Sequence, residues 1–214
     1  MKYEVFTHPL KNQLIMCKQI ISLFFLIAIC NCLFSQAPTA TELFDYNKSR
    51  NKKTTRGLQF LGGFAVANMG FSGYMYYNTK GVDKSFHEMN VMWNSVNTVI
   101  AVASLLPKDK NDMNLAKTLS WQSNTEATYI AAAALDLLYS TAGLYLTERA
   151  KTDFANHDKY KGWGNSLIYN GGFLFLFDTG MYIAHKRNGK KLYKMMDKIT
   201  LSTGGAGIKL TLHI

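Results

Sequence analysis

The sequence predicts an all-α protein: a four-helix transmembrane bundle of two helical hairpins, followed by a short β-hairpin-like C-terminal tail. Three observations predict it. Four apolar segments, 57–77, 89–106, 127–146 and 164–184, each have the roughly 17 to 25 residues that a spanning helix needs. The stretches between them, NTKGVDK, PKDKNDMNLAK and TERAKTDFANHDKYK, hold most of the charge, so consecutive segments should turn back on one another. Outer faces such as TVIAVASLL and GGFLFLF lack the Glu and Lys stripe that a soluble bundle helix presents to water.

Ahead of the first segment, residues 20–35 read IISLFFLIAICNCLFS, an apolar run of signal-peptide length that follows Lys18. Residues 1–35 are therefore expected to be a cleaved signal peptide, and MCKQ from Met16 is expected to be its true start. All three cysteines, Cys17, Cys30 and Cys32, lie in it, so the mature chain should carry no disulfide, thiolate metal site or cysteine nucleophile. Lipidation needs a small residue before the modified cysteine, but Ile29 and Asn31 stand there. Residues 36–56 read as a basic polar segment, 57–186 as the four-helix membrane domain, and 187–214 as a basic linker with the β-like tail.

The chain is basic, with 24 Lys and Arg against 14 Asp and Glu. Its basic runs lack interleaved aromatics on a defined face, which argues against nucleic acid. KRNGKKLYKMMDK, just beyond the fourth segment, reads instead as an anchor to anionic lipid head groups. Fifteen Lys and Arg flank one side of the four segments and six the other, so the positive-inside rule puts both ends of the bundle in the cytoplasm. A cleaved signal puts the mature amino terminus outside. The two rules conflict, and the cleaved signal is the reading kept.

The polar residues inside the apolar segments carry whatever the chain does. In HEMNVMWNSVN, His87, Asn90, Asn94 and Asn97 fall at i, i+3, i+7 and i+10, one face of a helix. The first segment adds Asn68 and Ser72, with Gly63, Ala67 and Gly70 as the small residues that let helices approach. The third adds Asp136, Ser140 and Gly143, and the fourth Asn170, Asp178 and His185. An Asp at mid-bilayer costs about 2.5 to 3.5 kcal/mol while each Leu or Ile returns about 0.3 to 0.6. With five Leu and one Ile, segment 127–146 needs neighbours to insert. Amide donors are the nearest remedy for a buried carboxylate, so Asn90, Asn94 and Asn97 are expected to contact Asp136 or Asp178.

The candidate ligand-binding set is thus His87, Asn90, Asn94, Asn97, Asp136, Ser140, Asn170, Asp178 and Asn68, holding a small ligand or ion or the bundle itself. No metal and no cofactor is expected. Haem would need two histidines at one level, whereas His87 opens the second segment and His185 closes the fourth, which runs in the same direction. HExxH, GxSxG and a glycine-rich phosphate loop are all missing, so no catalytic residue is assigned. Two alternatives stay open: an exported soluble helical bundle acting as a binding module, and a proton-coupled membrane enzyme or factor using Asp136 and Asp178.

RGLQFLGGFAVAN, MNVMWNSVN, a helix with a central Asp, and KGWGNSLIYNGGFLFLFDTGMY together resemble an uncharacterised family of small bacterial proteins with a signal peptide and four predicted transmembrane helices. The similarity covers residues 55–185, with Met89, Asn90, Trp93, Asn94, Asn97, Phe177, Asp178, Met181 and Tyr182 its most specific positions. It implies the same architecture, with the bacterial inner membrane as location, and carries over no catalytic residue. The tail ITLSTGGAGIKLTLHI alternates apolar residues around Gly204, Gly205 and Gly207, a hairpin signal. A lone hairpin is marginal in water, so it is expected to dock or to recruit a second copy or a membrane-protein partner.

The leader makes one measurable statement. Intact-mass analysis of the exported protein should find its first residue at Gln36 or within two residues of it, and retention of residues 20–35 would overturn the cleaved signal.

Overall fold

The computed structural model describes residues 38–106 and 112–200, with side chains as far as 196. It is all-helical there: α1 (Ala40–Asn78), α2 (Gly81–Leu105), α3 (Leu115–Arg149), a 3-10 turn (Phe154–Asn156) and α4 (His157–Thr200), with no strand among the described residues. Residues 40–192 form one compact helical bundle. The rest of the chain is a separate unit, and its described part is little more than the last turns of α4. The expected signal peptide and most of the expected hairpin tail lie outside the described residues.

The helices are longer than the apolar segments that announced them. At 1.5 Å per residue α1, with 39 residues, runs about 58 Å. Residues 40–56, read from the sequence as a polar segment, are its first half. Likewise α4 continues through 187–200, so the expected linker is helical and Ile199, placed in the hairpin by its alternation, sits in a helix. The reason is amphipathicity. Leu43, Tyr46, Asn47 and Arg50 are buried on one stripe of α1, and a search for uninterrupted apolar runs passes over such a stripe. α2, at 25 residues, is the short one. A two-residue connection, Thr79 and Lys80, precedes it, and its first residue, Gly81, takes φ 61°, a conformation that suits a residue without Cβ.

Packing pairs the helices as two hairpins. α1 lies along α2. α3 lies along α4, where Gly143 and Gly164 let the backbones touch: a Cβ on Gly143 would come 2.6 Å from the Gly164 carbonyl oxygen. Between the hairpins α4 is the common partner. Its Phe173 ring stacks on Phe64 of α1, and its Gly162 sits against the Val82 carbonyl of α2. By contrast α2 and α3 make no close backbone approach and are bridged by Trp93 and Tyr139, ring centroids 4.5 Å apart. The small residues expected to bring helices together are only partly the ones that do. Gly143 is, but a Cβ on Gly63 or Gly70 would meet nothing within 4 Å.

Burial is inverted relative to a water-soluble bundle. Among the described residues fifteen polar or charged side chains are buried against twelve apolar ones, and the largest fully buried side chains include Arg50, His185, Gln122, Asn90, Asn94 and Asn170. Meanwhile Phe60, Val99, Val102, Leu138, Leu144 and Leu176 are each more than half exposed. Of the four described helices only α3 is both long and apolar enough overall to pass as a membrane span, with mean hydropathy 1.3 over its best window, where four had been expected.

Overpacking a backbone contact costs about 1 to 3 kcal/mol. Gly143→Val should therefore lower the melting temperature of the purified protein by several degrees, while Gly172→Ala, with open space around its Cβ, should not. Equal effects from both would remove the Gly143–Gly164 contact from the account.

Candidate functional site

The polar stripe of α2 does turn inward, and its amides meet those of α4 before any carboxylate. Asn90 Oδ1 accepts from Asn94 Nδ2 at 3.0 Å and from Asn170 Nδ2 at 2.7 Å, and Asn170 Oδ1 accepts from Asn94 Nδ2 at 3.1 Å. Asn90 Nδ2 donates to Ser72 Oγ at 2.6 Å, and His87 Nδ1 lies 3.2 Å from the same oxygen. Asn170 Nδ2 also reaches the Ser166 carbonyl of its own helix at 2.9 Å. Ser72, Asn90, Asn94, Ser166 and Asn170 are all 0 to 2% exposed, so α1, α2 and α4 are joined by a dry amide lattice.

Asn90 and Asn94 therefore do not contact Asp136 or Asp178, contrary to expectation. Their amide hydrogens are engaged by Ser72, Asn170 and the Asn90 backbone. Asp136 and Asp178 instead face each other within hydrogen-bonding reach. Asn97, one turn below Asn94, is 6% exposed and its Nδ2 has no partner. Asp136 Oδ2 and Trp93 Nε1 are likewise buried and unpartnered.

Two further candidates are not brought in. Asn68 Nδ2 is spent on the Phe64 carbonyl of its own helix, and Ser140 Oγ on that of Asp136, the local back-bonding that these residues make when no neighbour competes. His87 and His185 are far apart. Their hydroxyl neighbours on α1, Ser72 and Thr54, are separated by about 27 Å of helix at 1.5 Å per residue. No group of three His, Cys, Asp or Glu side chains suited to a metal occurs among the described residues.

A cavity of about 400 Å³ opens where α2 and α3 stand apart. Asp136, Asp178, Asn97 and Trp93 line it, within walls that include Leu61, Ile100 and Leu174.

A second polar layer, which the sequence did not suggest, fills the lower half of the bundle. Tyr46 Oη donates to Gln122 Oε1 at 2.7 Å, Gln122 Nε2 donates to the His185 carbonyl at 2.8 Å, and Asn47 Nδ2 donates to Thr118 Oγ1 at 2.8 Å. The Arg50 guanidinium lies over Trp121 at 5.2 Å, and burial lowers its affinity for a proton. Burial and then the charge of Lys191 do the same to Lys53, whose Nζ reaches Asn188 Oδ1 at 3.1 Å. The available signal was spacing: Asn47, Arg50 and Thr54 on one stripe of α1, Thr118 and Gln122 a turn apart on α3.

The amide stripe and the paired carboxyls lie within residues 60–179, which match a family of unknown function, DUF6992. The chain belongs to that family. No curated protein and no solved structure matches it. The family matched by residues 60–179 spans the amide lattice and both cavity carboxyls but leaves out Tyr46, Asn47, Arg50 and His185 of the lower layer.

Leaving a buried amide unpaired costs about 1 to 3 kcal/mol, whereas removing both partners costs less than the sum. Asn94→Leu and Asn170→Leu should each destabilise the protein in detergent, and the double variant should recover about 0.6 to 1.7 kcal/mol of coupling, the range for interhelical pairs in membrane proteins. Strict additivity in that cycle would mean that the two amides do not pair.

Proposed function

We propose that this chain is a small integral membrane protein whose four-helix bundle encloses a polar ligand site. The observation that carries the proposal is the inverted burial: Asn90, Asn94, Asn170, Asp136 and Asp178 inside, and Phe60, Val99, Val102, Leu138, Leu144 and Leu176 outside. In water that distribution exposes apolar surface and desolvates polar groups at once. In a bilayer each outward Leu or Phe gains about 0.3 to 0.6 kcal/mol, and polar groups paired inside avoid the hydrocarbon. Polar inner faces also dilute the average hydropathy of α1, α2 and α4, which accounts for only α3 passing a test on composition.

Two further features support the same reading. Tyr74 and Tyr77 at the end of α1 and Tyr145 near the end of α3 are exposed at one level, as an interfacial aromatic belt requires. At the other end, the polar halves of α1, α3 and α4 carry Lys48, Lys52, Lys53, Lys117, Lys186 and Lys190, a basic layer suited to anionic head groups. The spans are residues 57–77, 89–106, 127–146 and 164–184, with the inner membrane of a bacterium as the location. An exported soluble bundle would leave the apolar faces in water, and the carboxyl pair is the one feature that a proton-coupled factor would use.

Carbonate extraction tests the proposal, and cysteine labelling sharpens it. The protein should stay in the carbonate pellet. With Cys17, Cys30 and Cys32 replaced by Ser, Leu176→Cys at mid-span should resist N-ethylmaleimide in intact membranes, whereas Phe154→Cys, in the connection before α4, should react readily. Release into the supernatant with equal labelling at both positions would sink the membrane reading.

A further inference from the structure

The amide lattice uses up its donors and leaves the Asn94 Oδ1 acceptor unpaired, and beside it three more buried polar atoms are left over: Trp93 Nε1, Asn97 Nδ2 and Asp136 Oδ2. An unpaired buried donor or acceptor costs about 1 to 3 kcal/mol, and three in one place are a debt that a structural role leaves unexplained. All three residues line the same cavity, the 400 Å³ space between α2 and α3. Trp93 and Asn97 are a turn apart on α2 and look across at Asp136 on α3, with Asp136 and Asn97 more than nine-tenths buried.

The remaining walls are mostly apolar, with Leu58, Leu61, Ala132, Leu174 and Phe177, but Thr54, Ser104, Thr125 and Thr128 line the cavity too. The rim is formed by Val96, Ile100 and Leu135, each about half exposed on the outer face of the bundle. With no close backbone approach between α2 and α3, the space has a lateral mouth on a surface which, on the membrane reading, faces lipid. A ligand entering there arrives from the bilayer and must be soluble in it.

We propose that this cavity binds an uncharged lipid-soluble alcohol, its hydroxyl among Trp93, Asn97 and Asp136 and its apolar body along the cavity walls. The unpaired atoms specify the head group. Two are N–H donors and one is a carboxyl oxygen, and a hydroxyl offers two acceptor lone pairs and one donor hydrogen. A plain hydrocarbon would leave all three unpaired. A cation would suit the carboxyls but repel the two N–H dipoles. Water has the right polarity, but one molecule fills only about 30 Å³, leaving most of a space walled mainly by apolar side chains. The inference rests on the membrane reading, because only that reading gives the mouth a lipid-soluble supply.

The test is a thermal-shift titration of the purified full-length protein in lipid nanodiscs with dodecanol, dodecane and dodecylamine. Dodecanol should raise the melting temperature by several degrees, because ligand that binds only the folded state stabilises it in proportion to the logarithm of its concentration. Dodecane and dodecylamine should not. Trp93→Phe keeps the ring that meets Tyr139 while deleting the N–H, and it should weaken the dodecanol response about tenfold in concentration, the worth of one hydrogen bond near 1.4 kcal/mol. Asn97→Leu should act in the same way and serves if Trp93→Phe fails to fold. Equal shifts from dodecanol and dodecane would reduce the cavity to an apolar groove, and a larger shift from dodecylamine would make it a cation site. Either result, or no shift at all, overturns the proposal. Carbonate extraction of the same membranes keeps the two failures apart: a pelleted protein that ignores dodecanol refutes the alcohol site and leaves the membrane reading standing.

Discussion

The pairing of Asn90, Asn94 and Asn170 is the constraint on which the rest of the bundle depends. Three carboxamides from two helices, each almost fully buried, can pair with one another only if α2 and α4 keep one rotation and one vertical register. Sliding either helix by a residue would turn an amide by 100° and leave it unpaired, at about 1 to 3 kcal/mol for each group. Apolar contacts alone would not impose that penalty, since one outward Leu or Val is as good as its neighbour. Ser72 then ties α1 to the same lattice through Asn90. α3, with no side chain in it, is held by backbone contact between Gly143 and Gly164 and, in the lower layer, by the bonds of Thr118 and Gln122 to α1 and α4. The helix outside the lattice is also the one that leaves the gap.

This division explains which features of the sequence could be read. The Asn stripe announced itself because its i, i+3, i+7, i+10 spacing is a property of one helix, and its burial follows from rotation alone. Which groups would pair across helices is not local information. Carboxylate with amide was the expectation on energetic grounds, but amide with amide is what the register of α2 against α4 delivers. Asn68 and Ser140 looked equivalent to Ser72 and Asn94 by residue type, and each turned out to be bonded within its own helix. Gly63 and Gly70 were legible as small and illegible as facing open space.

The extent of the helices was misjudged for a related reason. Apolar runs mark the parts of a helix that avoid water, and the parts that stand in water are amphipathic: Tyr46, Asn47 and Arg50 inside, Lys48 and Lys52 outside. The lower polar layer is divided by the family boundary: Thr118 and Gln122 lie inside residues 60–179, whereas Tyr46, Asn47, Arg50 and His185 lie outside. Two polar cores therefore stack in one bundle under different rules. On the proposed membrane reading, water at the periphery of the lower one softens the cost of an imperfect partner, and the upper one has no such relief.

That contrast is what makes the leftovers around Asp136 informative. In a water-bathed bundle, unpaired Trp93, Asn97 and Asp136 atoms would be solvated through the gap between α2 and α3 and would call for no explanation. On the proposed membrane reading the same gap admits only what dissolves in hydrocarbon, and the unpaired atoms become a specification of what that must be. The carboxyl pair lines a cavity whose rim is Val96, Ile100 and Leu135, which puts two buried carboxyls beside an opening from the side. A lattice as strict as that of Asn90, Asn94 and Asn170 fixes the register of α2 against α4, and so keeps Asn97 of α2 and Asp178 of α4 on the same cavity.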